Sequence, residues 1–319
     1  MNLTDARNAR QEASDRIGGR DARVFEPSPP AVDDNGGWMA DDPLQPASGV
    51  AVSPFGPGPT WTEVAAGHDA LGTWCDERWL RAGRRLDPPP ASLGTTRLAL
   101  HRLAMYAVAA ARIDANGYMG LRWTLGGFGT PFFGNDRQVR VVGDQIVIQD
   151  GDAVQVQPIT SLSAAESFLG APLARFAEDQ YDVPPLGDVD EQLTVDVTAA
   201  AWLGDWFALG TSVLEELRLD APDAEATRVQ LWPEHFDVAI ELGDGDAGLR
   251  ASIGFSPGDA NHADPYVYLA PWSGVPDDPF FNATGFKGAE LHVNDVVAAA
   301  DPRAVTLAVI REGRALLGD

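Results

Sequence analysis

A chain of 319 residues with 47 acidic and 23 basic side chains carries a formal net charge of −24. A field of that sign repels phosphate backbones and anionic bilayers, so neither nucleic acid nor a membrane surface is an expected partner. The one cysteine, Cys75, excludes an intrachain disulfide and a cysteine-built zinc centre.

Residues 1–60 read as an irregular acidic arm. Pro27-Ser-Pro-Pro30, Asp33-Asp-Asn-Gly-Gly37 and Ser53-Pro-Phe-Gly-Pro-Gly-Pro59 supply turns and no hydrophobic period. Met1 to Arg23 holds no apolar leader, and no segment reaches the about 20 apolar residues that cross a bilayer. Cytoplasmic residence is therefore the expectation.

A first α+β unit is expected over residues 61–170. Trp61, Val64, His68, Leu71, Cys75 and Trp79 recur every three or four residues, as on one face of a helix. After Asp87-Pro-Pro-Pro90 the spacing predicts a helix over 95–113, capped by Thr95 or Thr96. Leu100, Leu103, Ala104, Ala107, Val108 and Ala111 form its buried stripe. The period then changes to two. Strands are predicted over 118–125, 137–142, 145–149 and 153–157, with tight turns at Gly143-Asp144 and Asp150-Gly-Asp152. A short helix over 162–169 closes the unit.

Residues 171–195, with Pro184-Pro185 and a run of acids, read as a linker. The second unit spans 196–319. Its helix over 197–218 carries Trp202, Leu203, Trp206, Leu209, Val213, Leu214 and Leu217 on one face. Strands follow over 227–232, 236–242, 249–255 and 266–269, and a last helix over 305–317. The order defines an α+β fold of two antiparallel sheet units, each with a long amphipathic helix, packed as one body.

The two units share a phrase. Gly120-Leu-Arg-Trp-Thr-Leu-Gly-Gly-Phe-Gly-Thr-Pro131 and Gly248-Leu-Arg-Ala-Ser-Ile-Gly-Phe-Ser-Pro257 both run from Gly-Leu-Arg to Gly-Phe and then proline, behind a long helix. A pseudo-duplication would place Arg122 and Arg250 in matching positions. Each could then hold an anionic group through a guanidinium fork. With 47 acids in the chain, an ordinary ion pair explains either arginine equally well.

The loop between the strands at 249–255 and 266–269 gathers Ser256, Asp259, Asn261, His262 and Asp264. Polar residues concentrated between apolar strands are where a scaffold displays a site. Candidate catalytic groups are His235, His262 and Asp259, since imidazole titrates near neutral pH. Arg122, Arg250 and Tyr266 are candidate ligand contacts. Glu234, His235, Asp237, Asp259, His262 and Asp264 could also supply imidazole and carboxylate ligands to a divalent metal, although no known metal spacing is present. Asp and Asn in loops more often cap turns. Gly126-Gly-Phe-Gly129 is followed by Thr130-Pro131 and not by a helix, so no nucleotide site is expected there. No Gly-x-Ser-x-Gly elbow occurs.

Leu231-Trp-Pro-Glu-His-Phe-Asp-Val-Ala-Ile-Glu-Leu242, Ile253-Gly-Phe-Ser-Pro-Gly-Asp259 and Pro265-Tyr-Val-Tyr268 resemble an uncharacterised family of bacterial, mainly actinobacterial, proteins over the C-terminal third. The resemblance implies a soluble bacterial protein and transfers no catalytic residue. Two functions remain open. One is a small-molecule-binding protein or enzyme with its pocket at loops 126–134 and 256–265, which requires His235 and His262 to converge. The other is a non-catalytic interaction module that uses the arm and exposed aromatic side chains.

Overall fold

A computed structural model describes residues 85–318, except 118, 125, 131–132, 134–136, 151–152, 176–182, 221–225 and 228. The expected arm and the helix expected at 61–81 lie outside the described residues. The remainder is an α+β fold built on two five-stranded antiparallel sheets.

The first half opens with α1 (Leu93–Leu103), which continues through one wide π-helical segment (Ala104–Val108) into α2 (Ala109–Asn116). Neither threonine caps it. Ser92 takes the cap position without a side-chain bond. Thr96 is instead buried, and its hydroxyl accepts from the Asp196 amide at 3.0 Å. Gly117 ends the helix in the left-handed region, φ 86°, where a Cβ would be strained.

A meander follows: β1 (Arg122–Thr124), β2 (Gly127–Gly129), β3 (Arg137–Val142), β4 (Gln145–Asp150) and β5 (Ala153–Pro158), paired in that order. The helix α3 (Leu162–Leu169) starts at Ser161, whose hydroxyl accepts from the Ala164 amide at 3.2 Å. In the stretch expected as a linker, the described residues 171–175 and 183–195 are irregular but held down. Arg102 donates to the carbonyls of Leu186 and Asp188 at 2.6 and 3.1 Å, and the Tyr106 hydroxyl donates to the Pro184 carbonyl at 2.6 Å.

The second half repeats the plan. Asp196 caps α4 (Val197–Asp220) by accepting from the Ala199 amide at 2.9 Å. Then come β6 (Gln230–Trp232), β7 (Asp237–Leu242), β8 (Ala251–Ser256), β9 (Tyr266–Pro271) and β10 (Ala289–His292), again in sequential order. Two helices, α5 (Val293–Ala298) and α6 (Pro302–Leu317), finish the chain.

Helix followed by a five-stranded meander therefore occurs twice. The shared Gly-Leu-Arg phrase does not mark the repeat, however. Arg122 opens the first strand of its sheet, whereas Arg250 immediately precedes the third strand of the other.

The sheets meet at their first strands. Leu121 and Leu231 exchange two backbone hydrogen bonds of 2.8 and 2.9 Å. Helix α4 packs on β1, β2 and β3 of one sheet and on β7 and β8 of the other, and a single hydrophobic core runs through both halves. That position explains why its apolar residues extend beyond one stripe: Phe207 and Ala208 are buried alongside Trp206 and Leu209. Glycines allow the approach. A Cβ on Gly204 would lie 2.9 Å from the Gly126 carbonyl carbon, and one on Gly210 would lie 2.8 Å from the Phe255 ring.

Candidate functional site

Strand alternation gives the second sheet two chemically different faces. Val238, Ile240, Leu242, Ala251, Ile253, Phe255, Val267 and Leu269 are buried toward the core. The opposite face carries Asp237, Ala239 and Glu241 on β7, Ser252, Gly254 and Ser256 on β8, and Tyr266, Tyr268 and Ala270 on β9. Register confirms the rows: Ala239 pairs Gly254, Gly254 pairs Tyr268, and Ser256 pairs Tyr266.

This face is concave. It forms the floor of a cavity of about 370 Å³, whose walls include Trp232, His235, His101, Asp259 and Phe286. Gly254 sets its depth, because a Cβ there would fall 2.5 Å from the Tyr268 hydroxyl oxygen. Tyr268 can thus lie across β8, where its hydroxyl donates to the Asp237 carboxylate.

Three carboxylates line the cavity, and each is oriented. Asp237 accepts from Tyr268. Glu241 accepts from Arg250 at 3.0 Å, and the Arg250 guanidinium lies 5.2 Å from the centre of the Trp272 ring. Asp259 caps its own loop by accepting from the Asn261 and His262 amides at 2.6 and 2.7 Å. The loop is also gripped from α1: Arg97 donates to the carbonyls of Pro257, Asp259 and Ala263 at 3.1, 3.1 and 2.7 Å. Burial, reinforced by the negative charges of Asp259, Asp237 and Glu290, pushes the Tyr266 phenol up to about 12. It stays protonated and neutral in the cavity at ordinary pH.

His262 sits at the cavity rim with its ring 4.3 Å from that of Tyr266. Its close partners come from β10. Glu290 and His292 alternate on that strand, opposite Tyr268 and Tyr266, and so share the cavity face. The Glu290 carboxylate lies 3.7 Å from His262 Nε2 and 3.2 Å from His292 Nε2.

The structure thus distributes the candidate residues unevenly. His235, Asp259 and Tyr266 line the cavity, and His262 borders it. Arg250 acts one step away, through Glu241. Arg122 is buried in β1 and contributes nothing to the lining among the described residues. None of the described residues of loop 126–134 lines the cavity. Gly126 and Gly127 pack on α4 at Gly204, on the side of the first sheet. His235, Glu234, Asp237, Asp259 and Asp264 do not belong to a donor cluster of three or more among the described residues. Among the described residues that cluster is His262, Glu290 and His292, whose ligand atoms lie within 4.8 Å of one another.

Sequence reasoning missed Glu290 and His292 because β10 is four residues long and follows an irregular stretch. The available signal was Glu-x-His, two polar donors at strand spacing around Leu291. Comparison with protein-family models, with curated proteins and with solved structures finds no match for this chain. The site therefore has to be read from its own chemistry.

Proposed function

We propose that the open face of the second sheet binds a small organic molecule that joins a flat apolar part to a cationic group. The observation that carries this reading is the lining itself. Trp232, Tyr266, Tyr268 and Phe286 offer ring surfaces, Asp237, Glu241 and Asp259 offer carboxylates, and no arginine or lysine is among the described lining residues. Ring surfaces with a few placed polar groups suit a small ligand, and aromatic faces with carboxylates favour a cation over an anion. The volume of about 370 Å³ falls at the lower end of the range for such sites. The charge of the whole chain attracts the same sign of ligand.

Binding of benzamidine and tyramine, with phenylacetate as an anionic counterpart, tests the reading by ligand-observed nuclear magnetic resonance. The two cations are expected to bind and phenylacetate is not. Ala270→Trp, which projects an indole into the cavity and leaves the core-facing side of β9 unchanged, should weaken the cations at least about ten-fold, the equivalent of ~1.4 kcal/mol. Preference for phenylacetate, or full retention of binding by the variant, overturns the reading.

A further inference from the structure

We propose that His262, Glu290 and His292 form a binding site for a divalent transition-metal ion of the zinc type, at the rim of the cavity. The proposal does not depend on what the cavity binds. Four observations carry it.

The donor set comes first. Two imidazoles and one carboxylate suit zinc and its first-row neighbours, whereas magnesium and calcium prefer oxygen ligands alone.

Spacing comes second. Ligands held about 2.0–2.2 Å from an ion stand roughly 3–3.5 Å apart. Glu290 lies 3.2 Å from His292 Nε2 and 3.7 Å from His262 Nε2, and all three donor atoms lie within 4.8 Å of one another.

The third is the protonation pattern. His262 Nδ1 sits 2.8 Å from the Asp264 carbonyl oxygen. A carbonyl can only accept, so Nδ1 is the nitrogen that donates to it, and Nε2, on the side of Glu290, is the one left to ligate an ion. A ligating histidine ordinarily has its other ring nitrogen tied in this way.

The fourth is the support of Glu290. Its side chain is 7% exposed, an expensive place for a carboxylate unless positive charge meets it. Its backbone is fixed from both sides. It stands opposite Tyr268 across the β9–β10 pair, while its amide donates to Asn282 Oδ1 at 2.8 Å and its carbonyl accepts from Asn282 Nδ2 at 3.1 Å. Those groups point away from β9, so Glu290 and Tyr268 form the closer, non-hydrogen-bonded type of cross-strand pair. The loop that presents His262 is pinned by Arg97 and Asp259, as described above. All three ligands thus sit on restrained backbone, as a metal site needs.

The experiment is a calorimetric titration of the full chain with Zn²⁺ after dialysis against a chelator. One saturable site is expected, insensitive to excess Mg²⁺, and Co²⁺ in place of Zn²⁺ should give visible ligand-field bands. His292→Ala removes a half-exposed ligand without touching the core, and Glu290→Gln keeps the shape of its side chain. Each should weaken Zn²⁺ at least about ten-fold. Asp246→Asn, in the exposed β7–β8 turn, should leave the affinity unchanged. Circular dichroism verifies that the variants are folded. A hydrogen-bonded Glu–His–His cluster without metal affinity would show no saturable uptake, which overturns the proposal. Unchanged affinity in a His262→Ala/His292→Ala double variant does the same.

Discussion

His101 sits where a positive charge is costly. It lies on α1, stacked 5.2 Å from the Phe236 ring, with Nε2 2.9 Å from the Pro233 carbonyl oxygen. Burial is the main cause that lowers its pKa from 6.5 to about 4, against the opposing pull of that carbonyl. The sign of the linkage follows. The folded protein keeps the ring neutral, while the unfolded chain takes up a proton below 6.5. This contribution to stability is complete above pH 6.5 and is lost as the pH falls toward 4, to the extent of roughly 3 kcal/mol. Urea unfolding of native protein and His101→Phe across that interval should show a shallower pH slope in the variant. Equal slopes would mean that the ring is hydrated. The same scale shows what the sequence could disclose. Asp259, His262 and Tyr266 stood out because they crowd one loop and the strand after it. Glu290 and His292 did not, because each becomes informative only when β10 brings it beside residues 22 to 30 positions earlier.

At the scale of elements, glycine changes meaning with its surroundings. Within a helix, alanine normally outperforms glycine by up to about 1 kcal/mol. Gly94, early in α1, has nothing within 4 Å of a built Cβ. Gly94→Ala should therefore raise the free energy of unfolding, by an amount within that limit. Gly204→Ala should lower it, by about 1–3 kcal/mol, since the new methyl group meets the Gly126–Gly127 backbone and not a flexible side chain. Denaturant titration of the two variants beside the native chain checks the opposite signs. A gain in both would show that α4 can draw back from β2. Glycine also hides a strand from the sequence. Gly127-Phe-Gly129 contains no β-branched residue and reads as a loop, yet it pairs with β3 as β2, and glycine is required at 127 because a Cβ there would lie 2.0 Å from the Val141 carbonyl oxygen. The neighbouring β3, β4 and β5 were legible because valine and isoleucine alternate between Gly-Asp turns.

For the whole molecule, the class and most of the elements followed from periodicity, but β2, β10, α5 and the adjacency of the two sheets did not. Nothing local in Leu121 or Leu231 announces that they will pair across 110 positions. Their pairing and the shared helix α4 make one core, so the described body should unfold in a single step. Near- and far-ultraviolet circular dichroism should trace the same transition in urea. Two separated transitions would show that the halves are stable apart.

Edge-to-edge contact also changes how the molecule meets its own copies. Two separate meanders would present four unsatisfied rims, each a template for a strand from another chain. Here the inner rims face each other, and Asn282 covers the backbone of Glu290 on β10 with its amide. The remaining outer strand, β5, bears Gln155, Gln157 and Pro158. Among the described residues, those edges and the charge of −24 both work against strand addition between copies.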